Sequence, residues 1–218
     1  MRFIDIKVLI WKDIQREFRS FHQLGAVIAF LSGTSYLVYF FSGKETFEEW
    51  NLLFWIVYLF VSFFTGYRVF EEELVKYRVL TYQLYHPNVI YLARNIYLFL
   101  LLVLLGILLF LIFNLLMPIS VGYLFDWFLL LITFNIGNSI ILSFNSFLSS
   151  QSVNQTLMFS VLVLPLTFPL FGAGFLTSLL LLQGGHILDS GSQLKIMVGI
   201  NLFSIALVSI LLPYIWKN

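Results

Sequence analysis

The stretch L-V-L-P-L-T-F-P-L, Leu162 to Leu170, sets two prolines one helical turn apart inside an apolar run long enough to cross a bilayer. Proline has no N–H and its ring crowds the carbonyl one turn back. Pro165 and Pro169 therefore leave the carbonyls of Val161 and Pro165 without their usual helical partners. In hydrocarbon this is tolerated only where neighbouring helices, hydroxyls or water take up the freed groups. The segment reads as a bent helix, packed on protein or lining a cavity, and not as a plain anchor.

The rest of the chain agrees with such a setting. Of 218 residues, 60% are hydrophobic and 11% are charged, and the apolar residues come in long blocks instead of the short period of a soluble core. Against a need of about 20 apolar residues per crossing, the blocks fall at Leu24 to Phe41, Trp50 to Tyr67, Asn95 to Met117, Tyr123 to Phe147, Leu157 to Leu176 and Ile196 to Trp216. The expected fold is an all-α membrane protein with six transmembrane helices in a single domain, 1–218, and both termini on one side.

Lysine and arginine give the orientation, because cationic loops resist translocation. Arg2, Lys7, Lys12, Arg16, Arg19, Arg68, Lys76, Arg78, Arg94 and Lys217 fall on the side of the termini; only Lys44 and Lys195 do not. That side is assigned to the cytoplasm. The first apolar block starts late and lacks a small-x-small cleavage site, so no removable leader is expected. With no cysteine, disulfides and thiolate metal sites are excluded. A net charge of +1 gives no sign of a nucleic-acid partner.

Two pieces stand out on the basic side. In residues 1–22, Phe3, Ile6, Ile10, Ile14, Phe18 and Phe21 form a helical stripe with Trp11 beside it. Lys12, Asp13, Arg16, Glu17 and Arg19 lie away from that stripe. This predicts an amphipathic helix lying in the membrane interface, in contact with lipid. In the loop 68–94, Glu71, Glu72 and Glu73 follow Phe70, and Leu74, Tyr77, Leu80 and Leu84 recur at helical spacing until His86-Pro87-Asn88. An acidic cluster on a cationic side suggests a docking element, although a solvated helix end accounts for the same run.

The fourth block carries Thr133, Asn135, Asn138, Ser139, Ser143, Asn145 and Ser146, mostly three or four residues apart, so one side of that helix is polar. Interhelical hydrogen bonds explain such a stripe; a polar path or a moving interface is the functional alternative. Outside, residues 177–195 are read as a loop in which Leu176 to Leu182 forms a re-entrant or interfacial helix. His186 in this loop is the one histidine expected outside. It is a candidate haem ligand, with a loop residue as the plainer reading.

A G-x-x-x-x-G-K-[ST] loop, H-E-x-x-H, G-x-S-x-G and paired intramembrane carboxylates are all missing from the sequence. The chain is therefore expected not to be an enzyme, and any ATP is hydrolysed by a partner. No firmly bound cofactor is expected.

The start W-K-D-I-Q-R-E-F-R (Trp11 to Arg19), the segment R-V-F-E-E-E-L (Arg68 to Leu74), the H-P at His86 and Pro87, and above all the double-proline segment resemble the CcmB family, the haem exporter protein B of cytochrome c maturation. The resemblance covers nearly the whole chain. It implies a six-helix permease subunit of the ABC-2 type in the bacterial cytoplasmic (inner) membrane, present in two copies with a CcmA-like ATPase. It also implies CcmC-like and CcmD-like haem-handling proteins and a CcmE-like haem chaperone beside it, with haem as cargo. Phe70, Glu71, Glu72, Glu73, Leu74 and Tyr77 would then couple to the ATPase. Pro165 and Pro169, with Asn135 and Asn138, would mark the bend and the pathway. Physics alone leaves open an ABC-2 permease for a lipid, glycan or drug, or a scaffold that transports nothing.

Overall fold

Capping chemistry sets where the helices begin. In T-F-E-E, the Thr46 hydroxyl accepts from the Glu49 N–H and the Glu49 carboxylate accepts from the Thr46 N–H, both at 3.2 Å. This reciprocal box opens a helix three residues before the expected Trp50. His86-Pro87 likewise starts a helix as much as it breaks one: His86 is the N-cap and Pro87 sits in the first turn, where a missing N–H costs nothing.

The computed structural model describes residues 3–19, 21–41, 46–70, 84–119 and 122–215. Among these every regular element is a helix: α1 (Phe3–Arg19), α2 (Phe21–Phe41), α3 (Phe47–Tyr67), α4 (Pro87–Leu116), α5 (Leu124–Ser149), α6 (Gln155–Leu182) and α7 (Gly191–Ile215), with a short 3-10 turn at Ile187–Ser190. Five stretches are long and apolar enough to cross a membrane: Phe47–Phe70, Asn88–Leu116, Leu124–Ser149, Gln155–Leu182 and Ile187–Pro213. The sixth expected crossing corresponds to α2, whose apolar part Gly25–Phe41 is shorter than these five.

α5 is the hub of the bundle and packs on α3, α4, α6 and α7. Its enclosure follows from its sequence: small or amide-bearing side chains on one side allow helices to approach that alkyl side chains would keep apart. At one end of the bundle the core is aromatic. Trp50 stacks on Phe54, and Phe113 and Trp127 meet both rings edge to face with centroids 5.5–5.8 Å apart, the arrangement aromatic quadrupoles favour.

Further boundaries differ from those expected. Leu176 to Leu182 is not a separate re-entrant segment; it is the last two turns of α6, which runs unbroken from Gln155. The connection from α6 to α7 is correspondingly short: Gln183 ends α6, Gly184 takes φ +89, and Ile187–Ser190 leads into α7. α4 starts at Pro87, so the last residues assigned to the loop 68–94 are helical. At about 1.5 Å per residue, the 30 residues of α4 span about 45 Å, more than the roughly 30 Å of hydrocarbon. The surplus is taken up by tilt or by end turns outside the apolar slab, and Val89, Ile90 and Ala93 lie in the first turns of α4.

Those first turns are where α1 packs. Ile6, Leu9 and Ile10 pack on Val89, Ile90 and Ala93, so part of the amphipathic stripe faces protein and not lipid alone. Trp11, placed beside the stripe, is 59% exposed.

Candidate coupling site and polar core

Asp13 was expected on the polar side of α1, yet it is 2% exposed. It follows Leu9 and Ile10 by four and three residues, so helical geometry carries it onto the face that meets α4. There its Oδ2 lies 3.2 Å from Nε of Arg94, with both side chains no more than 6% exposed. Arg94, counted above with the loop cations, sits inside α4 and donates Nη1–H to the Val69 carbonyl at 3.0 Å. One guanidinium thus ties α1 and α4 to the residues following α3. A buried charge pair persists only when its remaining hydrogen-bonding groups are satisfied as well, and the Val69 carbonyl contributes to that.

Phe70, the first of the expected coupling residues, is buried next to this clasp. Its ring stacks near-parallel to Tyr91 (6.2 Å, 15°) and edge-on to Phe147 (5.4 Å). Its N–H donates to Ser146 Oγ at 3.3 Å, while Ser146 Oγ–H donates to the Tyr67 carbonyl at 2.9 Å. Phe70 is therefore the point at which the following segment is anchored to the bundle. Glu71, Glu72, Glu73, Leu74 and Tyr77 lie outside the described residues.

Along α5 the polar stripe is spent mainly on neighbouring helices. The Tyr58 hydroxyl of α3 lies 2.7 Å from Asn135 Oδ1 and 2.9 Å from the Leu102 carbonyl. Ser139 Oγ–H donates to Asn95 Oδ1 at 3.1 Å, Ser143 Oγ is 3.0 Å from the Tyr91 hydroxyl, and Asn201 Nδ2–H donates to the Thr133 carbonyl at 3.0 Å. Asn135 is thus a packing residue. Asn138 differs: it is fully buried and neither its Nδ2 nor its Oδ1 finds a hydrogen-bond partner. Sequence spacing cannot separate the two, because both amides fall on the same polar side of one helix.

The prolines are turned away from this chain's own bundle. Pro165 and Pro169 lie on the exposed face of α6 with Val161, Leu164 and Phe168, whereas Phe159, Val163, Thr167 and Leu170 form the buried face. Within this chain they are not packed on protein. The Thr167 hydroxyl between them donates to the Val163 and Leu164 carbonyls and not to those of Val161 or Pro165, which the prolines strand.

Between α6 and α7, His186 is a structural hinge-pin. Its Nδ1 lies 3.2 Å from Asp126 Oδ2, which also accepts the Ile187 N–H at 3.1 Å, and the Asp189 carboxylate accepts the His186 N–H at 2.8 Å. Tyr123 lies against the imidazole with centroids 3.7 Å apart. The ring fastens this connection to the start of α5. Among the described residues no three His, Asp or Glu side chains gather as a metal-ligand set.

Fold and site together define a multi-pass, all-helical membrane protein whose helices are joined by buried polar contacts and by the buried Asp13–Arg94 ion pair at a helix junction. The sequence matches the profile of the CcmB family, described as CcmB protein, over residues 4–214, and the chain belongs to that family. With the family comes the class: a permease component of the ABC-type haem-export system of cytochrome c biogenesis, which works with an ATPase partner. No curated protein and no solved structure matches the chain.

Proposed function

We propose that the chain is the subunit through which a CcmA-like partner's ATP hydrolysis drives haem handling, or release of a haem-loaded CcmE-like chaperone, in cytochrome c maturation. The observation that carries this reading is the family match across residues 4–214. The geometry supports where coupling enters: a partner that moves residues 71–83 pulls on Phe70 and Val69, and through Arg94 on α1 and α4 together. Packed elements that move as one are suited to passing a closure into the spans. The chain itself is neither an enzyme nor a firm holder of a cofactor in this reading.

In the complete arrangement α2 makes the sixth crossing, both termini lie on the cytoplasmic side of the inner membrane, and α1 rests at that interface. Two copies pair within the complex, beside CcmC-like and CcmD-like proteins. Apolar side chains and two prolines on the outward face of α6 support a protein neighbour there. The experiment is deletion of the chain followed by haem staining of c-type cytochromes, together with replacement of Glu71, Glu72 and Glu73 by alanine. Staining is expected to disappear in the deletion strain, and the triple variant, present at normal level, is expected to lose both the ATPase and cytochrome yield. Normal staining after deletion overturns the function; normal ATPase recovery with the triple variant overturns the docking assignment.

A further inference from the structure

Between α2, α3 and α6 an apolar groove of about 540 Å³ opens on the side of the bundle, within the roughly 300–1,000 Å³ range of clefts that hold small molecules. Its body is formed by Phe30, Phe60, Phe63, Phe64 and Phe159. One end differs. There Tyr67, Thr156 and Ser160 line it, with Ala26 also in the lining; the Tyr67 and Thr156 hydroxyls lie 3.1 Å apart and the Ser160 hydroxyl donates to the Thr156 carbonyl, while Arg68, next in sequence to Tyr67 and outside the lining itself, holds its guanidinium 5.3 Å from the ring centroid of the lining residue Phe64. From Phe60 to Tyr67 the groove follows α3 for about 10 Å, hydrocarbon-like along its length and hydroxylic and cationic at its mouth. The mouth is at the same end of the bundle as the Arg94 clasp, the end on which basic residues concentrate.

We infer that this groove seats one acyl chain of an anionic phospholipid from the surrounding bilayer, with its phosphate at Arg68 and the Tyr67, Thr156 and Ser160 hydroxyls. The polarity gradient selects this occupant: a phospholipid has the same order of groups, apolar tail then anionic head, and the same register against the membrane surface. Arginine presents a planar fork of donors that matches phosphate oxygens, and a cation at the cytoplasmic surface attracts anionic lipid. The inference goes beyond the permease assignment and needs only that the chain spans a bilayer.

The test uses the full chain in nanodiscs containing phosphatidylglycerol with a photoreactive acyl chain, mapping cross-linked peptides, with phosphatidylcholine of the same chain as competitor. Cross-links are expected to concentrate on α2, α3 and the start of α6. Ala26→Trp, which fills the groove, is expected to reduce them about tenfold, while Arg68→Gln is expected to remove the preference for the anionic head and leave chain insertion in place. Folding of each variant is checked by its thermal transition. Cross-links spread evenly over lipid-facing helices, or unchanged by a folded Ala26→Trp variant, overturn the proposal. The chain has no cysteine, so a Ser160→Cys variant gives a direct check: a disulfide-linked dimer through this position shows a second copy in the groove and overturns it as well.

Discussion

Replacing Asp13 by asparagine leaves the shape of α1 almost unchanged and removes one charge from a pair in which each side chain is no more than 6% exposed. Removing one member of a buried pair costs about 3–5 kcal/mol, because the remaining charge stays buried with that interaction lost. Arg94 retains its bond to the Val69 carbonyl, which favours the lower end. At about 2–4 °C per kcal/mol for a chain of this size, a loss of about 3 kcal/mol lowers the thermal transition by about 6–12 °C. The assay is a melting curve of the purified protein in nanodiscs for Asp13→Asn, Arg94→Met and the double variant. The double variant is expected to recover part of the loss, because no unpaired charge is then left buried, while the introduced amide and the Val69 carbonyl, which loses its donor, keep the recovery incomplete. A shift below about 2 °C for Asp13→Asn, or strictly additive losses in the double variant, would refute the clasp as an energetic link, since contacting partners couple and independent sites add.

Other expectations follow from single contacts. A Cβ at Gly174 would lie 2.7 Å from the Trp55 ring, and that ring is held by its Nε1–H bond to Ser178 at 2.7 Å; Gly174→Ala should cost about 1–3 kcal/mol by overpacking, and an unchanged melting curve would show that α3 and α6 do not approach this closely. Asn135→Leu removes one of the two acceptors of the Tyr58 hydroxyl, which keeps the Leu102 carbonyl, and should destabilise by about 0.5–1.5 kcal/mol, whereas Asn138→Leu removes an amide with no partner and should be neutral or stabilising; reversed signs in thermal melts would sink the distinction between the two amides. Phe168→Cys, on the outward proline face, should yield a disulfide-linked pair of chains in membranes under mild oxidation, while Val163→Cys, on the buried face, should not; equal yields from both would remove α6 as the contact between copies.

Much of the bundle was legible in the sequence because hydrocarbon is a demanding solvent. Long apolar blocks must become helices there, and every expected block has its helix. Family membership was legible too, from local motifs such as Leu162 to Leu170. What the pattern could not show was which side of a helix meets which neighbour. In hydrocarbon, lipid-facing and protein-facing residues are both apolar, so periodicity gives no face for α6, and only the packing shows that Pro165 and Pro169 point away from this chain's own helices. Asp13 was misplaced for a related reason. The polar arc of α1 read as solvated, but α4 covers its edge, and the spacing Ile6, Leu9, Ile10, Asp13 was the available signal.

The sequence by itself settled the solvent, the helical class, the polar face of α5 and the family, since each depends on residue types within one segment. Tertiary structure alone decided that Asp13 meets Arg94, that Asn135 is satisfied while Asn138 is not, and that the double proline faces away from its own bundle. Those facts depend on residues up to 81 positions apart in the chain, brought within hydrogen-bonding distance by helix packing that no local pattern encodes.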